Sequence, residues 1–188
     1  MRFDSLLRAG LVMASLVAAP AAFAFVVQQA PTDQRYTDRP MVSAIQRETV
    51  SYNGPYAPGT IIVATSERRL YLVLGDHQAL KYGIGVGRPG FTWGGVLHVS
   101  MKKEWPDWTP PAEMLVRRPD LPRHMEGGPQ NPLGARAMYL GSSMYRIHGS
   151  NEPWTIGTNV SSGCIRMRNQ DVIDLYGRVN VGARVIVI

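Results

Sequence analysis

Apolar and polar positions alternate over short distances in the middle of the chain, and this pattern predicts strands. The β-branched segment Thr60–Ala64 is followed by a polar turn and then by the alternating segment Arg69–Leu74. A second turn, Gly75–Gln78, leads into the segment Ala79–Val86. Short alternating segments separated by turn residues are typical of a β-meander.

Later segments extend this pattern. Further strands are predicted at Val96–Met101, Ala137–Leu140, Tyr145–His148 and Ala183–Ile188. One segment has helical spacing: it starts at Asn169 as predicted N-cap, carries Asp171 in its first turn, and places Val172, Leu175, Tyr176 and Val179 on one face. Many short strands and one late helix predict a mostly β fold, a β-sandwich with the helix packed on it.

The first 24 residues form a separate segment. Arg2 and Arg8 precede an uncharged run, Ala9–Val27, that contains the small-x-small sequence Ala22-Phe23-Ala24. This arrangement is typical of a secretory signal peptide, and cleavage is predicted after Ala24. The segment would contact a membrane only if it stayed uncleaved. The predicted location is therefore the periplasm or cell envelope.

Prolines and the Asn53-Gly54 pair interrupt any period in the next segment. Residues 25–57 are therefore predicted to be a flexible tether, and residues 58–188 the folded domain. The total length of 188 residues agrees with one domain plus appendages.

Composition removes several function classes. A 45% apolar content excludes a wholly disordered chain, and a single cysteine excludes an internal disulfide and a Cys-rich zinc site. The four histidines have no short metal-ligand spacing, so no metal site is predicted. The net charge of +6 comes from scattered basic residues, which does not indicate a nucleic-acid surface. Alternating glycines in Tyr82–Gly87 precede a turn and not a helix, so no nucleotide cofactor is predicted.

The sole cysteine is the strongest candidate for chemistry. Cys164 follows His148 by sixteen residues, and the intervening Pro153 and Gly157 allow the chain to fold back. A cysteine nucleophile needs such a base, and we expect a nearby imidazolium to raise the thiolate fraction. Backbone amides around Gly163 and Cys164 are candidate donors to an oxyanion.

Two interpretations stay open at this stage. Arg166 is either a carboxylate-binding group or a member of a structural ion pair. From spacing alone, Cys164 and His148 are also compatible with a buried inert thiol and a surface histidine.

A longer set of motifs carries a family resemblance. The segments are His148-Gly149-Ser150-Asn151, Ile156-Gly157 and Ser161-Ser162-Gly163-Cys164-Ile165-Arg166-Met167, with weaker blocks at Ala57–Thr60, Arg69–Leu72, Gly85–Gly87, Trp108–Pro111, Asn131–Gly134 and Asn169–Val172. Together they resemble the L,D-transpeptidase catalytic domain, the YkuD family. The resemblance implies that fold for residues 58–188. Ser162 departs from the His or Lys usual in the family, which leaves His148 as the base.

The resemblance also implies a reaction without a cofactor. Cys164 would form a thioester with the diamino acid of a peptidoglycan tetrapeptide stem and release D-Ala, with His148 as general acid and base. The Gly149 carbonyl would orient the imidazole, and Ser161, Ser162, Gly163 and Arg166 would line the oxyanion or substrate site. The acceptor amine would belong to another stem, giving a 3→3 cross-link, or to a lysine of an outer-membrane protein. The alternatives are carboxypeptidase or D-amino-acid exchange activity with the same nucleophile, and a non-catalytic wall-binding module.

Overall fold

The computed structural model describes residues 45–188. The predicted signal peptide and the tether up to residue 44 lie outside the described residues. Residues 45–188 form eleven strands and two α-helices. The strands are β1 (Glu48–Ser51), β2 (Ile61–Ala64), β3 (Arg69–Val73), β4 (Gln78–Gly83), β5 (Val86–Gly87), β6 (Gly95–Glu104), β7 (Arg136–Leu140), β8 (Arg146–His148), β9 (Asn159–Ser161), β10 (Ile165–Arg166) and β11 (Arg184–Val187). The helices are α1 (Ala112–Arg117) and α2 (Asn169–Arg178).

Nine strands follow one hydrogen-bonded order, β1-β4-β3-β2-β11-β6-β7-β8-β10, and β5 pairs separately with β9. The long strand β6 joins two parts of this order. Its first half pairs with β11 and its second half with β7, and the register shifts between Val99 and Met101. Because such an irregularity bends a strand, β6 divides the sheet into two halves.

Side chains from both halves and from α2 share one hydrophobic core. Fully buried members include Ile61, Leu70 and Tyr82 from the first half, Met138, Leu140 and Ile147 from the second, and Val172 and Leu175 from α2. The predicted mostly β fold with one late helix is confirmed. A second helix, α1, lies between β6 and β7 and has no buried residue among its six.

Most of the predicted strands are present, including the antiparallel meander β2-β3-β4. The tether prediction differs from the structure at its C-terminal end, because Glu48–Ser51 pairs with β4 as an edge strand. The side chains of β1 are mostly exposed, so the strand has no apolar pattern to detect. Its backbone ladder to β4 holds it in place.

The predicted N-cap of the late helix is wrong by one residue. Arg168 occupies the cap position in extended conformation without a side-chain cap bond, and Asn169 is the first helical residue. Arg168 Nε instead lies 2.6 Å from Asp171 Oδ2, and both side chains are almost fully buried. This ion pair joins the start of α2 to its first turn. The Asn169 carboxamide does not cap the helix and is available for other partners.

Candidate active site

Strands β8 and β10 run parallel and bring the two candidate catalytic segments side by side. Ile165 lies opposite Ile147, and Arg166 lies opposite His148. Opposed residues point to the same face, and successive residues point to opposite faces. Because Ile147 and Ile165 enter the core, the residues that alternate with them share the other face. That face carries Arg146, His148 and Arg166, and Cys164, one residue before β10, interacts with both arginines.

Cys164 lies partly buried just before β10. Its Sγ is 3.7 Å from the carbonyl oxygen of Met144 and also interacts with Arg146. Burial raises the pKa of the Cys164 thiol, while the positive charges of Arg146 and Arg166 act in the opposite direction. The net rise means that the thiol is protonated at neutral pH in the free protein.

His148 is buried, with 4% of its surface exposed. Its Nδ1 lies 2.6 Å from the carbonyl oxygen of Gly149. Since a carbonyl only accepts hydrogen bonds, Nδ1 carries the proton and Nε2 of the neutral ring holds the lone pair. Burial lowers the pKa of His148 to about 3, and the charges of Arg166 and Arg146 contribute to that shift.

The free protein therefore holds a neutral thiol and a neutral imidazole at this site. The expected imidazolium beside a thiolate is not the resting state. Two physical causes oppose it: burial disfavours both charged forms, and the two guanidinium groups disfavour a third positive charge on His148. A neutral imidazole is nevertheless the form that can accept a proton from the thiol.

The loop before Cys164 is fixed by two aromatic side chains. Gly163 has a φ of +112°, and a Cβ there would lie 2.6 Å from Cε1 of Tyr145. Trp93 stacks on Tyr145 with ring centroids 4.2 Å apart, and its Nε1 donates to the Gly163 carbonyl over 2.8 Å. Glycine is therefore required immediately before the nucleophile.

The two serines of the loop hold its backbone. Ser161 Oγ donates to the Cys164 carbonyl over 2.6 Å and accepts from the Gly163 amide over 3.1 Å. Arg88 donates to Ser162 Oγ over 3.1 Å. The Gly163 amide, expected as an oxyanion donor, is thus already occupied in the free protein. The Cys164 amide is the remaining candidate of the expected pair.

Arg166 forms an ion pair with Glu152, with 2.9 Å between Nη1 and Oε2. The structural interpretation of Arg166 is therefore present in the free protein. Its Nε is buried without a hydrogen-bond partner in the described part of the chain, as is the Nε of Arg146. Unpartnered buried donors are costly, so a ligand that supplies oxygen atoms here would be favoured.

Arg146 was not identified from the sequence. Its hydrogen bonds and positive charge lower the pKa of the Cys164 thiol more than the charge of Arg166 does. A signal was present, because Arg146 stands two residues before His148 and must share its face in a strand. Trp93 and Tyr145 were also missed. Their contact depends on the approach of β8 to a distant loop, which no local pattern reports.

Within residues 45–188, no three His, Cys, Asp or Glu side chains are arranged to hold a metal ion. The helices of this same range include none long and apolar enough to cross a membrane.

Comparison with known proteins identifies the family. The sequence pattern of the YkuD family, described as the L,D-transpeptidase catalytic domain, matches residues 58–187. The chain belongs to the L,D-transpeptidase (YkuD) family. YkuD of Bacillus subtilis (strain 168), which carries an L,D-transpeptidase name, is 49% identical over 132 residues, covering 70% of this chain and 67% of its own.

Two further relatives define the extent of the likeness. The Probable L,D-transpeptidase ErfK/SrfK of Escherichia coli (strain K12) is 40% identical over 137 residues, which is 68% of this chain and 43% of that protein. This chain therefore matches less than half of that relative. An L,D-transpeptidase from Mycobacterium smegmatis has the same fold, with a TM-score of 0.54 at 19% identity over 69% of this chain and 58% of that one.

The site leads to a prediction for Arg146. We expect Arg146→Met to raise the pH midpoint of Cys164 alkylation by about one unit, because the substitution removes a positive charge that stabilises the thiolate. The measurement is the rate of iodoacetamide labelling across pH, followed by intact mass. Arg118→Met, which breaks an exposed pair with Asp120, is the control and should leave the midpoint unchanged. An unchanged midpoint in Arg146→Met would contradict the assignment.

Proposed function

We propose that this protein is a peptidoglycan L,D-transpeptidase that uses Cys164 as nucleophile and His148 as general acid and base. Family membership supports the reaction class. The observation that supports the residue assignment is the parallel pairing of β8 and β10, in which His148 lies opposite Arg166, two residues after Cys164. The Gly149 carbonyl leaves Nε2 of the buried imidazole as the proton acceptor.

The first half-reaction forms a thioester. His148 Nε2 takes the proton of the Cys164 thiol, and Sγ attacks the carbonyl carbon of the diamino acid at the third position of a tetrapeptide stem. The Cys164 amide donates to the oxygen on which negative charge develops. The bond to the terminal D-Ala then breaks, and its nitrogen leaves with the proton that His148 had taken.

The second half-reaction transfers the acyl group to an amine. The amine attacks the thioester carbonyl, His148 accepts its proton, and the Cys164 sulfur leaves and is reprotonated. A diamino acid of another stem as acceptor gives a 3→3 cross-link, and a lysine of an outer-membrane protein gives a covalent attachment. Water as acceptor gives a carboxypeptidase, and a free D-amino acid gives an exchange reaction.

A bound acyl donor would change the pKa of His148 through its effect on the charges of Arg146 and Arg166. Stem peptides carry carboxylates, and both guanidinium groups have a buried Nε without a partner in the described residues. A bound carboxylate would neutralise part of the positive charge that lowers the pKa of His148. The imidazole would then accept the thiol proton more readily once the donor is seated.

We also propose that the protein acts in the cell envelope after export. The basis is the N-terminal segment 1–24, with its charged start, apolar run and Ala22-Phe23-Ala24 sequence. The mass of the protein recovered from an expressing bacterium tests this. Loss of residues 1–24 supports cleavage, and a full-length membrane-bound protein supports an uncleaved anchor.

The decisive experiment incubates the protein with purified disaccharide-tetrapeptides and analyses the products by mass spectrometry. Dimers joined between two diamino acids, with one D-Ala lost, support transpeptidation. Tripeptides alone indicate a carboxypeptidase, and stems that exchange their terminal residue for added D-Met indicate the exchange reaction. Binding of the stems by the protein without formation of any product indicates a wall-binding module and contradicts the proposal.

We expect carbapenem β-lactams to form a covalent adduct at Cys164. The strained amide resembles the acyl donor, so the same thiol attack opens the ring. Intact-mass spectrometry should show one adduct per chain. The matched control is Cys164→Ala, which should show none, and an equal adduct count in both proteins would contradict the assignment of the nucleophile.

A further inference from the structure

The carboxamide of Asn169 connects the start of α2 to the segment that carries His148. Asn169 Oδ1 accepts a hydrogen bond from the Ala135 amide over 3.0 Å and a second from the Ser150 amide over 3.2 Å. One oxygen atom therefore ties together three parts of the chain that are far apart in sequence. The proposed chemistry uses none of these contacts directly.

The contact with Ser150 acts on the orientation of the base. The Ser150 N–H and the Gly149 carbonyl belong to one planar peptide group, so holding the N–H also sets the direction of the carbonyl. That carbonyl oxygen is the acceptor for His148 Nδ1 at 2.6 Å. A hydrogen bond accepted by Asn169 also polarises the peptide and strengthens the carbonyl as an acceptor.

The backbone around Asn169 is built for this close approach. A Cβ at Gly149 would lie 2.2 Å from Asn169 Oδ1. A Cβ at Gly134 would lie 2.3 Å from the same oxygen and 2.4 Å from the Ser150 nitrogen, and Gly134 has a φ of +63°. Both positions therefore need glycine for the carboxamide to reach the two amides.

The contact with Ala135 restrains a second backbone segment near the imidazole. The Leu133 carbonyl, two residues before Ala135, also faces the His148 ring and favours its protonated form. Asn169 thus holds both backbone segments whose carbonyls face the imidazole. The bond from Ser150 acts on the Gly149 peptide group itself, and the bond from Ala135 acts one peptide group away from the Leu133 carbonyl.

We propose that Asn169 is a positioning residue that fixes the tautomer and orientation of His148 through the Gly149–Ser150 peptide group. Its effect on turnover rests on the proposed function, whereas its effect on the tautomer does not. Asn169 touches neither the thiol nor the substrate in this account. The expected loss therefore falls on kcat, while KM is preserved.

The test compares Asn169→Ala, Asn169→Asp and the exposed control Asn180→Ala with the wild type. Nitrogen-15 NMR of the histidine rings reports the tautomer, and His148→Gln identifies the His148 signals. We expect the wild type, Asn180→Ala and Asn169→Asp, which keeps an acceptor oxygen, to show a single Nδ1–H tautomer. Asn169→Ala should show a mixture, with kcat lowered about 10- to 100-fold and KM within about twofold, as expected for a displaced catalytic group.

Other outcomes are equally informative. A folded Asn169→Ala protein that keeps the single tautomer and wild-type kcat overturns the inference. If Asn169→Ala does not fold, Asn169→Asp decides: one Nδ1–H tautomer supports the inference, and a mixture overturns it. A wild type that is inactive on stems, but whose tautomer responds to Asn169→Ala, retains this inference while the proposed function fails.

Discussion

Replacement of Cys164 by alanine is expected to lower acyl transfer by a factor of about 10⁴ or more, since no other group of the site can form the thioester. The fold should survive, because the side chain is partly buried and lies beside the core instead of within it. The measurement is the rate of dimer formation from tetrapeptide stems. Thermal unfolding of both proteins, with midpoints within about 5 °C, checks the fold.

Cys164→Ser is the matched control for the chemistry. It retains a nucleophile of nearly the same shape, yet a hydroxyl beside a weakly basic imidazole is a far poorer nucleophile than a thiolate. We therefore expect it to be almost as inactive as Cys164→Ala. A folded Cys164→Ala protein that still makes dimers would refute the thioester mechanism, and an active Cys164→Ser protein would show that sulfur is dispensable.

The strands that sequence patterns predict are those whose own residues carry an apolar alternation or a β-branched run. Strands β2, β3 and β4 bury apolar side chains against the core, so their pattern is visible in the chain. Strands β9 and β10 have three and two residues, too few to show a period. Strand β1 is held by backbone pairing with β4, and the residues of β1 themselves carry no pattern that reports this pairing.

The candidate site was found from a motif, but its electrostatics depend on the fold. The motif gives Cys164 and His148, and it cannot give the register that sets Arg146 and Arg166 beside them. That register, with the burial of His148, replaces the expected imidazolium by a neutral ring. Asn169 is a second example. Asparagine favours the N-cap position, so the sequence predicts a cap there, but in the structure the Asn169 carboxamide accepts a hydrogen bond from the distant Ala135 amide.

The remaining large effect concerns His148. We expect His148→Gln to lower kcat by a factor of about 10²–10⁴, the usual contribution of general acid–base catalysis. The pH midpoint of Cys164 alkylation should move by less than about half a unit, because the neutral ring places no charge beside the thiol. Measuring both on one protein separates proton transfer from electrostatic activation. A large upward shift of the midpoint would instead indicate that His148 is a charged imidazolium that stabilises the Cys164 thiolate.

The same residue makes stability depend on pH. Folded His148 stays neutral down to a pKa of about 3, whereas an unfolded histidine takes up a proton near pH 6.5. The unfolded state therefore binds more protons between these values, and the free energy of unfolding falls as the pH decreases through that range. From pH 7 to pH 5 the loss due to His148 is about 2 kcal/mol. Denaturant unfolding of the wild type and His148→Gln at both pH values measures it, and equal pH dependence in the two proteins would contradict a buried neutral imidazole.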